Sequence, residues 1–131
     1  MSPRRSVLVI DRSEETGEVL RTALADANTD VIEAISARQG LELARCHRPD
    51  VIVLDAELEA TCGDGWSAHF AAETYGRDSQ LVLLGSARRM RESFPGGQFL
   101  AKPYHYGALV RKIEVLLSRG PQSPVGERTA N

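Results

Sequence analysis

Short apolar runs and longer amphipathic stretches alternate five times along the chain. The runs are VLVID (7–11), TDVIEA (29–34), DVIVLD (50–55), QLVLL (80–84) and QFLA (98–101). They are brief and rich in Val, Ile and Leu, as strands covered on both faces are. Between them the apolar positions fall at helical spacing. The first helix is predicted from about Glu14 to Ala27, with Ser13 as N-cap, acidic residues in the first turn, and a stripe of Val19, Leu20, Ala23, Leu24 and Ala27. The second opens on a capping box, Ser36 with Gln39, and ends in basic residues before Pro49. A third covers about Trp66 to Tyr75. The last carries Tyr106, Leu109, Val110, Ile113, Leu116 and Leu117 on one face until Gly120 and Pro121 stop it.

Strand–helix alternation of this kind predicts an α/β fold, a doubly wound five-stranded parallel sheet with helices on both faces. The domain is expected to span residues 1–119. Residues 120–131 (GPQSPVGERTAN) are polar and rich in Pro and Gly, and read as a disordered tail or linker. In such sheets the functional site lies at the carboxyl ends of the strands. Four positions converge there: Asp11, Asp55, Gly85 with Ser86, and Lys102. Two carboxylates, a small or hydroxylated position and a lysine suit an aspartate that accepts a phosphoryl group, with a cation to meet the developing charge.

The bulk properties narrow the alternatives. A chain of 131 residues fits one domain with a real core, and a net charge of −2 gives no overall field to attract nucleic acid or a membrane surface. No apolar run approaches the ~20 residues of a membrane helix, and the five-residue run before Asp11 is too short for a secretory signal, so a cytoplasmic location is expected. Cys46 and Cys62 make no disulfide framework, and a metal pair of Cys62 with His69 has no further ligand at suitable spacing.

With these residues in place, the chain resembles the response-regulator receiver (CheY-like) family from residue 6 to about 118. VLVID matches its first strand, ending in Asp11. PDVIVLD matches the third, which puts Asp55 at the phosphoacceptor position. Gly63-Asp64-Gly65 resembles the Met-Asp-Gly that opens the third helix, and Phe99-Leu-Ala-Lys102-Pro103-Tyr104 resembles the aromatic-x-x-Lys-Pro-Phe signature. The resemblance implies the flavodoxin-like (βα)5 architecture with strand order 2-1-3-4-5. It implies a phosphorelay module with no catalysis beyond its own phosphorylation and dephosphorylation. In it, Asp55 takes a phosphoryl group from a sensor histidine kinase, a phosphotransfer protein or a small acyl phosphate. Lys102 would pair with the phosphoryl oxygens, Pro103 would follow a cis peptide, and Phe99 would be the rotating switch aromatic. Asp11, with Asp55, would help to hold Mg²⁺. A downstream protein, unnamed by the sequence, and a homodimer complete the partners such a module implies.

Four departures qualify this reading. Arg12 stands where the family has a second acidic residue; a guanidinium repels Mg²⁺ and could pair with Asp55 directly, so any Mg²⁺ site is expected to be weak. Glu14, inside the first helix, is a distant substitute. The loop after Asp55 (AELEATCG) is about two residues longer than is usual in the family and adds the carboxylate of Glu57, either a third metal ligand or a source of repulsion. The switch hydroxyl falls on Gly85 by strand register, with Ser86 next to it. Finally, the interval from Gly85 to Lys102 is about five residues short. It leaves helix four little more than Ala87 to Ser93, with Pro95-Gly96-Gly97 behind it, and makes output through that face doubtful.

The alternative keeps the fold and drops the chemistry: a degenerate receiver serving as a phosphorylation-independent interaction module, with Arg12 as a built-in cation. A haloacid-dehalogenase-like phosphohydrolase is disfavoured because Asp55 closes strand three rather than strand one. A flavodoxin-type FMN site would need a hydroxyl- and Gly-rich loop where Asp11-Arg-Ser-Glu-Glu stands. Each singled-out residue also has a plainer reading. Phe99, Trp66 and Tyr104 could be packing residues, and Arg88, Arg89 and Arg91 an ordinary solvated face.

Overall fold

A computed structural model describes residues 4–25, 28–58, 69–70, 72, 79–86 and 97–119. Five strands, β1 (Arg5–Ile10), β2 (Thr29–Ala34), β3 (Val51–Asp55), β4 (Gln80–Gly85) and β5 (Gly97–Ala101), form one parallel sheet in the order β2-β1-β3-β4-β5. Three helices complete the described elements: α1 (Glu14–Ala23), α2 (Ala37–His47) and α3 (Tyr106–Arg119). The doubly wound α/β sheet and its strand order are those expected.

Why the strands lack a polar alternation is visible in the packing. Val7, Val9, Val51, Val53, Val82 and Leu84 face a layer made by Leu20 and Leu24 of α1 with Leu109, Ile113, Leu116 and Leu117 of α3. Leu8, Ile10, Ile52, Leu54, Leu81 and Leu83 face the opposite layer, which holds Ala37, Leu41 and Ala44 of α2 together with Phe70. Every second residue is therefore buried against one layer and the rest against the other. The first helix ends earlier than predicted, at Ala23 with Leu24 as its cap. Its buried face runs through Thr16, Gly17 and Leu20, while Val19 is half-buried and Ala23 exposed.

At α2, Ser36 Oγ accepts the Gln39 amide at 3.1 Å, as a capping box requires. The return bond differs, because Gln39 Oε1 accepts from Ile35 N rather than from Ser36 N. The helix stops at Arg48, which adopts a left-handed φ of 48° before Pro49. The amino edge of the sheet is fastened to the end of α3. The Arg5 guanidinium donates to the Leu117 carbonyl, and Gln80 Nε2 donates to the Leu116 carbonyl at 3.0 Å. These carbonyls have no partner within their own helix.

Several expectations lie outside the described residues: most of the third helix, Cys62 and Trp66, the Gly63-Asp64-Gly65 turn, the shortened helix four with Arg88, Arg89 and Arg91, and residues 120–131. Within the third helix only residues 69, 70 and 72 are described, and these are helical. Among the described residues no helix is long and apolar enough to cross a membrane.

One close approach is testable. A Cβ at Gly40 of α2 would lie 2.6 Å from Ile10 Cγ1 and 3.2 Å from its Cγ2, and Ile10 is fully buried. Alanine is the better helix former by about 1 kcal/mol, but overpacking costs about 1–3 kcal/mol. Gly40→Ala is expected to lower stability in urea melts by about 1 kcal/mol, and Ile10→Val in the same chain to restore part of it.

Candidate functional site

β1 and β3 are neighbours at the centre of the sheet, and Ile10 pairs with Leu54. The next residues, Asp11 and Asp55, therefore emerge level with each other at the carboxyl edge, on the face that α1 and α3 cover. Both are buried, 9% and 7% exposed. Lys102 arrives from the far side of the sheet, one residue past β5. Its amide donates to the Gly85 carbonyl at 2.7 Å, which fixes the backbone from which the side chain reaches back. Lys102 Nζ lies 2.9 Å from Asp55 Oδ1. The peptide between Lys102 and Pro103 is cis.

Asp55 is thus a buried carboxylate with its charge compensated. Oδ1 accepts from Lys102 Nζ and, at 2.9 Å, from the Glu57 amide. No hydrogen bond from a described residue reaches Oδ2. A charge-assisted bond of this kind offsets the cost of taking a carboxylate out of water.

Asp11 is held differently. The Ser13 amide donates to Oδ1 and the Thr16 hydroxyl to Oδ2, each at 3.0 Å. Its carboxyl is pushed above the ordinary aspartate range, first by burial and then by the negative charge of Asp55; the Ser13 amide, the Thr16 hydroxyl and Lys102 pull the other way. Tyr104 closes the cluster. Its phenol is pushed up to about 12, mainly by burial, with the charges of Asp11 and Asp55 and the neighbouring Tyr106 adding, and with a hydrogen bond to Thr16 opposing. Its ring meets Tyr106 edge to face, with centroids 5.9 Å apart.

The remaining predicted site residues divide clearly. Gly85 closes β4 and is buried. Ser86 follows it half-buried, and its amide donates to Glu57 Oε2 at 3.3 Å. The hydroxyl available at this strand end therefore belongs to Ser86. Phe99 is half-buried and packs on the layer that contains Phe70 and Leu83. Glu14 is exposed in the first turn of α1.

Arg12 does not pair with Asp55. Its side chain is exposed, and the ion pair on Asp55 is made by Lys102. The turn from Asp11 to Ser13 ties the Asp11 carboxylate back to the helix start and leaves the intervening side chain outside.

The proposed metal ligands Asp11, Asp55 and Glu57 are not gathered around one point. Among the described residues no group of three or more His, Cys, Asp or Glu side chains could hold a metal ion. Both Asp11 oxygens already accept protein hydrogen bonds, one Asp55 oxygen holds Lys102, and Glu57 turns to Ser86. These residues do not fit the three-carboxylate Mg²⁺ site that the fold implies.

Two residues that shape the site carry little signal in the sequence: Tyr104 reads as packing, and Thr16 does not stand out as a site residue. What signal Thr16 has is its spacing: it sits four residues before Leu20 and eight before Leu24, a hydroxyl on the stripe that faces the core.

A parallel sheet of this order, with an aspartate–lysine pair at its carboxyl edge, is the architecture of a response-regulator receiver domain. No family model matches the chain. The kinship lies with individual proteins. The chain is 29% identical over 120 residues to the KDP operon transcriptional regulatory protein KdpE of Escherichia coli, an alignment covering 87% of this chain and 52% of that one. A response regulator from Thermotoga maritima superposes with a TM-score of 0.72 at 19% identity, over 88% of this chain and 99% of the other. The chemotaxis response regulator CheY4 of Vibrio cholerae gives 0.70 at 22% identity, over 87% and 99%. At these identities the structural likeness speaks for the fold. The chain spans about half the length of the curated relatives it matches. Relatives and neighbours together support a receiver domain of the CheY-like type.

The raised Asp11 carboxyl makes a stability prediction. A group whose protonated form the fold favours contributes stability at low pH and loses it as pH rises through the folded pKa. Asp11→Asn is therefore expected to raise the melting temperature at neutral pH. The gain should shrink as pH falls through the carboxylate range, which thermal melts at stepped pH will measure.

Proposed function

We propose that the chain is a phosphorelay receiver in which Asp55 accepts a phosphoryl group from the phosphohistidine of a sensor kinase or phosphotransfer protein, or from a small acyl phosphate. The observation that carries this reading is the contact of 2.9 Å between Lys102 Nζ and Asp55 Oδ1, made at the open carboxyl edge of the sheet. Lys102 occupies one oxygen and leaves the other as the nucleophile. Oδ2 attacks phosphorus in line with the leaving group; the P–O bond to Asp55 forms as the bond to the donor nitrogen or oxygen breaks. The donor departs with the bonding pair and takes up a proton from solvent. Negative charge spread over the transferring oxygens is met by the Lys102 ammonium, already in place, so catalysis here is positioning and electrostatics. Ser86 supplies the hydroxyl at the end of β4, and Phe99, on the adjacent strand, is the aromatic whose packing would report the change. The chain turns over no other substrate; it makes and loses its own acyl phosphate. A protein partner downstream reads the modified state.

A second reading, an interaction module independent of phosphorylation, draws its support from the scattered carboxylates and from Arg12. One experiment separates the two. Incubation with acetyl phosphate, followed by intact-mass measurement, is expected to add a single phosphoryl group that Asp55→Asn abolishes. Lys102→Ala is expected to slow its appearance by about ten- to a hundredfold, the scale on which a charged hydrogen-bond donor matters. An unmodified parent chain would favour the interaction module.

Mg²⁺ binding is expected to be weak in the parent chain. Replacing a cation by a carboxylate beside Asp11 changes the local charge by two units, and Arg12→Asp is expected to tighten Mg²⁺ binding by about tenfold or more in calorimetric titration, even after solvent screening of an exposed position.

A further inference from the structure

Asp11 is held from beyond its own loop by a buried side chain of α1. Thr16 is 2% exposed, and its hydroxyl donates to Asp11 Oδ2 at 3.0 Å. A carboxylate only accepts, so the single Thr16 hydrogen is committed there. The bond therefore joins the turn just beyond β1 to the buried face of α1. Leu20 and Leu24, on the same stripe as Thr16, are fully buried, so α1 cannot turn this hydroxyl away without moving core side chains.

We propose that Thr16 is a positioning residue that holds Asp11 against α1 and withholds it from metal binding, so that Asp55 is balanced by Lys102 in place of a divalent ion. The proposal rests on the reading of Asp55 as acceptor only for its functional meaning. Its geometry stands on the two bonds to Asp11. With Ser13 N on Oδ1 and Thr16 on Oδ2, a hydrated cation approaching Asp11 meets oxygens whose charge is already shared with fixed donors and has to compete with those bonds. The exposed Arg12 works from outside by charge, whereas Thr16 works from within by sharing the ligand oxygen. The two effects are separable by mutation.

The test is titration of the full chain with Mg²⁺ alone, followed by calorimetry and by the amide NMR shifts of Asp11, Arg12 and Asp55. Thr16→Val removes the hydroxyl at nearly constant volume, and it is expected to tighten Mg²⁺ binding by about three- to tenfold, the range one hydrogen bond commands. Thr16→Ser keeps the donor and is expected to match the parent. If the valine variant fails to fold, Thr16→Ala carries the same comparison. Folded valine or alanine variants that bind Mg²⁺ no better than the parent would overturn the proposal, as would a serine variant that behaves like valine. Phosphorylation of Asp55 is read separately by mass. Loss of that reading leaves the metal result standing, and a null metal result leaves the phosphorylation result untouched.

Discussion

Asp11 and Asp55 lie side by side at the end of a sheet whose interior is otherwise Val, Ile and Leu, and this adjacency shapes everything around it. Two like charges, each less than a tenth exposed, repel each other and lose their hydration together. The chain resolves the conflict by treating them unequally. Asp55 receives a full positive charge from Lys102, and Asp11 receives two neutral donors. The asymmetry sorts their chemistry. The carboxylate beside the ammonium keeps one oxygen without a described partner, and the one beside the hydroxyl becomes part of the scaffold.

That arrangement depends on fasteners some distance from the carboxylates. The Ala56 amide donates to the Leu84 carbonyl at 2.7 Å, and the Lys102 amide to the Gly85 carbonyl at the same distance. Each carries the pairing one step past a strand end, so the site is built on sheet backbone and not on free loop. Glu57, which the sequence offered as a metal ligand, joins this fastening: its amide holds Asp55 and its carboxylate takes the Ser86 amide.

Much of this was legible in the residues. Buried parallel strands announce themselves as uninterrupted Val/Ile/Leu runs, and all five were found within two residues of their bounds. The largest shift was at β1, which begins at Arg5, two residues before its apolar run. Arg5 and Ser6 belong to the strand through backbone pairing and the grip on Leu117, which apolar pattern does not encode. The apolar spacing of the first helix continues to Ala27, while the chain has left the helix at Leu24 and Asn28 takes a φ of 55° to enter β2. Asp55 and Lys102 were legible because each closes an apolar run. Arg12 misled for a local reason: charge alone suggested a partner for Asp55, but the Asp11–Ser13 turn directs its neighbour outward. Thr16 is not legible in the same way, because a threonine inside a helix is ordinary until its neighbours on the stripe prove to be buried.

The grip of Arg5 and Gln80 on the last carbonyls of α3 has a mechanical meaning. α3 is 14 residues long, about 21 Å of rod. It starts beside the turn that carries Lys102 and Tyr104 and ends fastened to the opposite edge of the sheet. A rod pinned at one end does not slide. If Lys102 shifts when its counter-charge changes, the near end of α3 is carried with it and the far end becomes a fulcrum. The swing is then widest at the amino end of the helix and fades towards the pin, so that exposed Arg111 moves further than exposed Val115, which lies beside it. A small displacement at a buried carboxylate is in this way passed on as lateral motion of a solvent-facing surface, with the leverage set by where the pin is placed.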